Sequence, residues 1–117
     1  MSWERCHRRY RLRHAVLDEV VKAGPIAAVS RARAEIDAEY GGLGAFLLEV
    51  QAHWERAEQA RLEEAADTGE AAIVRARLAS EQSPTRILLD AFAAHLALAQ
   101  QAHHAPEYFP PAMTPMR

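Results

Sequence analysis

The sequence predicts an all-α protein, a single-domain bundle of about five helices, and three observations carry that prediction. Apolar residues recur at intervals of three and four, the period of a helix surface, rather than at two. Of 117 residues, 25 are Ala, the strongest helix former, against 11 Leu and eight aromatics. Gly and Pro fall between the periodic stretches, at Gly24-Pro25, Gly41-Gly42, Gly69 and Pro84, where they punctuate rather than interrupt. The length suits one hydrophobic core and is short for two. Because Ala adds little buried area, that core is thin per residue, and stability is expected to draw on a partner subunit.

The first helix is expected from Ser2 to Ala23, with Ser2 as N-cap and Gly24 as the stop. Trp3, Tyr10 and Leu17, seven apart, with Cys6, Val20 and Val21 beside them, trace its expected packing stripe. Pro25 opens the second helix, which carries Ile26, Val29 and Ile36 and ends near Tyr40. The third runs from about Leu43 to Ala66. Leu43, Phe46, Leu47, Val50, Trp54 and Ala57 form its apolar side, and Glu49, Glu55, Glu58, Glu63 and Glu64 its wet side. Asp67 and Glu70 have the spacing of a capping box for a short fourth helix, residues 70–81, with Ile73, Val74 and Leu78.

Ser83 as cap and Pro84 in the first turn open a fifth helix to about Ala102, apolar nearly all round and broken mainly by Asp90 and His95. A helix with so little polar surface belongs at the centre of a fold or in a subunit interface. The expectation is a homodimer using this helix, through Leu88, Phe92, His95 and Leu96, with part of the third. The bundle is thus assigned to residues 1–104. Residues 105–117 read as an extended Pro-rich tail, with four prolines in the last dozen residues and with Tyr108 and Phe109 docking on their own domain or a neighbouring subunit.

A formal net charge of -2 conceals an asymmetry. Residues 1–14 hold five Arg against one Glu, whereas residues 35–70 hold ten acids against Arg56 and Arg61. Arg5, Arg9 and Arg13 stand four apart with Arg8 beside them, and like charges at that spacing repel by a few tenths of a kcal/mol per pair. Something should compensate. The acidic faces of helices three and four can do so, within the chain or between two copies, and an acidic protein partner can do the same. The alternative is phosphate of a nucleic acid, with Arg31 and Arg33 adding to the row.

Chemistry beyond binding has little support in the residues. Cys6 is the single cysteine, so no internal disulfide forms; His7 beside it points about 100° away on a helix and makes no dyad, so Cys6 reads as a small packing residue. His7 and His14 are about 10 Å apart along the axis; His14-Asp18 and His103-His104-Glu107 lack ligand number or geometry for a metal. Gly41-Gly42-Leu43-Gly44 has neither the preceding strand nor the lysine of a phosphate loop. No cofactor, metal or catalytic residue is expected. No window approaches about 18 continuous apolar residues, and the N-terminus is charged from residue 4, so neither membrane span nor signal peptide is expected and the location is read as cytoplasmic.

Two stretches carry a family resemblance. RLRHAVLDEVVKAG, residues 11–24, resembles the first helix of bacterial TetR-type regulators, and YGGLGAFLLEVQAHWERAEQARLEEA, residues 40–65, is similar to the segment where their fourth helix begins. The resemblance implies helical dimerisation through the late helices. In place of that family's helix-turn-helix, residues 25–39 read as one helix, so the resemblance does not imply DNA binding. The function expected from these readings is a small non-enzymatic interaction or regulatory protein acting through helix-mediated protein contacts. Alternatives are a nucleic-acid-binding regulator using Arg5, Arg8, Arg9, Arg13, Arg31 and Arg33, and a helical small-molecule-binding module.

Overall fold

Ser2 accepts a hydrogen bond from the Arg5 backbone N–H (3.2 Å) and so starts α1, Trp3–Ala23. Gly24, at φ 91°, is the hinge that only glycine adopts without strain; it ends α1 and leads into Pro25, the first residue of α2, Pro25–Tyr40. Gly41, left-handed at φ 81°, closes α2, and α3 follows over Leu43–Glu64. A 3-10 turn at Thr68–Glu70 precedes α4, Ala71–Glu81; α5 spans Ser83–Ala91 and α6 spans Ala93–Tyr108. The computed structural model describes residues 2–65 and 68–108. Every element among them is helical, as the apolar periodicity predicts.

Among the described residues there are six α-helices rather than five, because the expected fifth helix turns a corner at Phe92. Neither Pro nor Gly makes it. Phe92 (φ -111°, ψ 28°) repeats the geometry of Gln82 (φ -114°, ψ 44°), and each corner residue is bonded on both sides: its N–H donates back, to Leu88 or Leu78, and its carbonyl accepts from Leu96 or Arg86. Tertiary packing dictates the bend: Leu88 and Leu89 are held at the centre while Leu96 is drawn against α3. The cap of α5 is Gln82 rather than Ser83, which lies inside the first turn. Glu70 caps α4 without a side-chain bond, and its expected capping-box partner Asp67 lies outside the described residues.

Other boundaries shift less. α3 stops at Glu64, two residues short of the expected end. α6 continues to Tyr108, past the expected end at Ala102; Pro106 falls within its last turn, where it removes one helical N–H donor. Phe109 and the remaining tail lie outside the described residues.

The core joins Leu12, Val16 and Val20 of α1 to Val29 and Ile36 of α2, Phe46, Leu47 and Val50 of α3, Leu78 of α4, and Leu88 and Leu89 of α5. The short helix α5 is central, touching α1, α2, α3 and α4, while α6 runs along α3. A methyl placed on Gly44 would stand 3.2 Å from the Ala99 Cβ, so that glycine permits the close approach of α3 and α6.

The packing stripe of α1 keeps Val20 and, in part, Leu17 of the expected one but not its aromatic residues. Leu12, Val16 and Val20 face inward, whereas Trp3 is 76% exposed and Tyr10 51% exposed, and Val21 and Cys6 also face solvent. On a helical wheel Trp3 and Tyr10 lie roughly 130° from the row of Leu12, Val16 and Val20, so burying one exposes the other. The inward row includes Arg9 and Arg13, whose partners on α2 and α3 fix the rotation of the helix. Ile26 likewise faces solvent, leaving Val29 and Ile36 as the packed side of α2.

Candidate functional site

Arg8, Arg9 and Arg13 of the arginine row are answered from within the chain. Arg8 pairs with Glu39 at 3.1 Å. Arg9 donates twice to the Glu39 carbonyl oxygen, at 3.1 and 2.6 Å, and lies over the Tyr40 ring at 4.6 Å, setting a cation on the negative end of α2. Arg13, 13% exposed, pairs with Glu49 at 3.3 Å, and Tyr40 donates its hydroxyl to the same carboxylate oxygen at 2.5 Å. Burial, reinforced by that hydrogen bond, pushes the Tyr40 phenol well above its ordinary value, so it stays a donor at any working pH.

The neutralising acids are therefore Glu39 at the end of α2 and Glu49 near the start of α3, not the acids farther along helices three and four. Those are engaged separately, Glu81 by Arg61 at 2.6 Å and Glu58 by Arg75 at 3.4 Å. Arg31 pairs with Glu19 at 2.5 Å, and Arg33 with Asp37 at 3.3 Å. The Arg31-Glu19 contact stands about 16 Å along α1 from the Arg8-Glu39 contact, so the six arginines do not gather into one patch. Arg5 is the one of the six whose side chain makes no ion pair or hydrogen bond among the described residues.

Leu88 and Leu96 lie in the chain's own core; Phe92 is half-buried, with its ring edge-on to the exposed His95 at 5.8 Å. The outward apolar residues of these helices are Ile87 and Leu98, the latter 65% exposed.

Burying Leu12, Val16 and Val20 presents a ladder of rings on the outside of α1. Trp3 stacks on His7 at 5.1 Å and 7°, His7 on Tyr10 at 6.5 Å and 13°, and Tyr10 meets His14 at 4.3 Å and 47°. The sequence pattern shows these four residues at spacings of three and four; it does not show which way they face.

His14 ends the ladder at the lip of a groove of about 450 Å³. Arg13, His14 and Leu17 of α1 form one wall, Val50, His53, Trp54 and Ala57 of α3 the other, and Gln82, Pro84 and Thr85 close it at the start of α5. Arg86 lies over the Trp54 ring at 4.9 Å. Arg56 Nη2 stands 3.0 Å from His53 Nδ1. Arginine can only donate, so Nδ1 is the acceptor and a neutral His53 carries its proton on Nε2. Burial, then the charges of Arg13 and Arg56, hold its pKa below the ordinary 6.5. Among the described residues no three His, Cys, Asp or Glu side chains converge as a metal site would need.

The sign of the His53 shift gives a pH dependence. Below about 6.5 an unfolded chain protonates this ring while the folded chain resists, so its stabilising contribution is lost as pH falls toward the lower folded value. Urea unfolding between about pH 7.5 and about pH 5.5 should show a larger drop in stability for the native chain than for His53→Gln. Equal drops would assign the acid sensitivity to other groups.

Three elements distant in sequence build this groove, and the sequence singles out Pro84 among its residues only as part of a helix start. No family model, curated protein or solved structure matches the chain. Among the described residues no helix is long and apolar enough to cross a membrane.

Proposed function

We propose that this is a small non-enzymatic interaction protein that acts through helix-mediated protein contacts, with the outer face of α1 as its contact surface and an acidic protein as its partner. The observation that carries this reading is the exposed Trp3-His7-Tyr10-His14 ladder; Arg5, at the same end of α1 but on another side of the helix, makes no side-chain ion pair or hydrogen bond among the described residues. Trp, Tyr and Arg are the side chains that dominate interface energetics, and a chain that spends no core packing on two large aromatics leaves them available for such a role. Arg8 and Arg13 pair with carboxylates and Arg9 is held by the Glu39 carbonyl, which weakens the phosphate reading and leaves Arg5 to choose a partner by charge.

A photo-crosslinker placed near Tyr10, at Arg11, tests this in cells. The expected product is a crosslink to one acidic protein that disappears in Trp3→Ala and Tyr10→Ala and weakens in Arg5→Glu. Alanine at either aromatic should lower affinity by about 2 kcal/mol, roughly thirty-fold. Crosslinks that survive both alanine substitutions overturn the reading. Binding of a labelled DNA duplex or RNA that weakens steeply between about 50 and about 200 mM salt would instead support the nucleic-acid alternative.

A homodimer belongs to the same reading, formed through the outward faces of α5 and α6, where Ile87 and Leu98 are exposed. Light scattering that returns 13.0 kDa across a wide concentration range removes that part.

A further inference from the structure

The groove between α1 and α3 has the composition of a small-molecule site rather than of a gap. Its volume, about 450 Å³, lies within the range of ligand pockets. Its floor and walls are apolar, from Leu17, Val50, Trp54 and Pro84, and the polar groups that converge on it are donors: Arg13, Gln82, Thr85 and the histidines. No carboxylate lines it among the described residues.

Thr85 is the informative residue. It is only 8% exposed, yet its hydroxyl makes no hydrogen bond among the described residues. No buried side-chain oxygen or nitrogen is both sealed from solvent and unpartnered, so this hydroxyl must open on a free space, and the space that Thr85 lines is the groove. A nearly buried hydroxyl held without a protein partner is an unused donor. Around it, Gln82 caps α5 with no side-chain bond, leaving the positive end of that helix facing the same space, and His53 offers Nε2–H because Arg56 occupies Nδ1. Arg13 keeps further N–H groups beyond the one given to Glu49. A single acceptor group with charge satisfies these donors together, and the apolar remainder of the groove calls for a flat hydrocarbon body behind it.

We propose that this groove binds an organic monocarboxylate with an aromatic or similarly flat body, the carboxylate accepting from Thr85 Oγ1 and His53 Nε2 and the body lying against Leu17, Val50 and Trp54. The site is separate from the protein-contact surface on α1, apart from His14, which belongs to both.

Titration of the full chain with 2-naphthoate, followed by NMR through the Trp54 indole N–H and the ring protons of His14 and His53, tests it; Trp3→Phe assigns the indole signal. Saturable shifts confined to these residues are expected, with 2-naphthamide and inorganic phosphate each binding at least about ten-fold more weakly, since one lacks the charge and the other the body. Thr85→Val should weaken 2-naphthoate about ten-fold, the loss of one hydrogen bond to a charged group, and Thr85→Ser should restore it. Should Thr85→Val fail to fold, Ala57→Leu fills the groove from α3 and should abolish the shifts. Absent or unsaturable shifts, equal binding of the amide, phosphate binding as tight as naphthoate, undiminished binding by Thr85→Val, or undiminished binding by Ala57→Leu would each overturn the proposal.

Discussion

Leu88→Ala is expected to lower the unfolding free energy by about 3 kcal/mol, the cost of a cavity left by a fully buried leucine. Leu88 sits on α5, which touches all five other helices among the described residues, so the cavity opens where side chains are held from several directions. Urea denaturation measures the loss, and light scattering in the same buffer separates it from any change of assembly. The residue lies among those expected to form a dimer interface, and the two roles have opposite signatures. As core, it changes the denaturation midpoint at any protein concentration; as interface, it changes the concentration at which copies separate. A shift in the second quantity without the first would contradict its placement at the centre of the chain.

Glu49→Ala should cost about 2 kcal/mol or more, although glutamate on a helix surface is ordinarily worth far less. One carboxylate oxygen accepts from both Arg13 and Tyr40, so its removal leaves a guanidinium that is 13% exposed without a counter-charge and a half-buried hydroxyl without an acceptor. Breaking a mostly buried pair by deleting one member costs more than the pair contributes, because the remaining charge stays desolvated. Glu49→Gln retains an acceptor for Tyr40 and should lose about half as much. Combining Glu49→Ala with Tyr40→Phe should cost less than the sum of the two alone, since the second change removes the hydroxyl that the first strands. Additive losses would show that the hydrogen bond between them contributes nothing.

The helix ends that the sequence marks are those whose signal is local. Ser2, Gly24-Pro25 and Gly41 act on their own backbone, and each stands where its chemistry predicts. The corners at Gln82 and Phe92 are illegible for the opposite reason. Ordinary residues occupy them, and the bend is decided by where Leu88, Leu89 and Leu96 find room against helices far away in sequence. Periodicity on α1 shows two stripes, and side-chain bulk favours the wrong one. The inward choice follows from Glu39 and Glu49, which reach Arg9 and Arg13 across thirty or more residues. That most of the basic row is compensated is legible from repulsion alone; the identity of the compensating acids is not. The groove is the least legible feature, since His53, Thr85 and Arg13 acquire meaning only when α1, α3 and α5 meet.

The central position of α5 also orders events on the ribosome. Synthesis delivers α1, α2 and α3 first, and by Glu64 the nascent chain holds Val16, Ile36, Phe46 and Leu47 around a slot that nothing yet fills. The residues that plug it, Leu88 and Leu89, must be made and then emerge from the exit tunnel before the core can close. During that interval the early helices form a sticky hairpin-plus-one assembly rather than a finished folding unit. A nascent chain halted between α3 and α5 is therefore the form of this protein that most needs a chaperone.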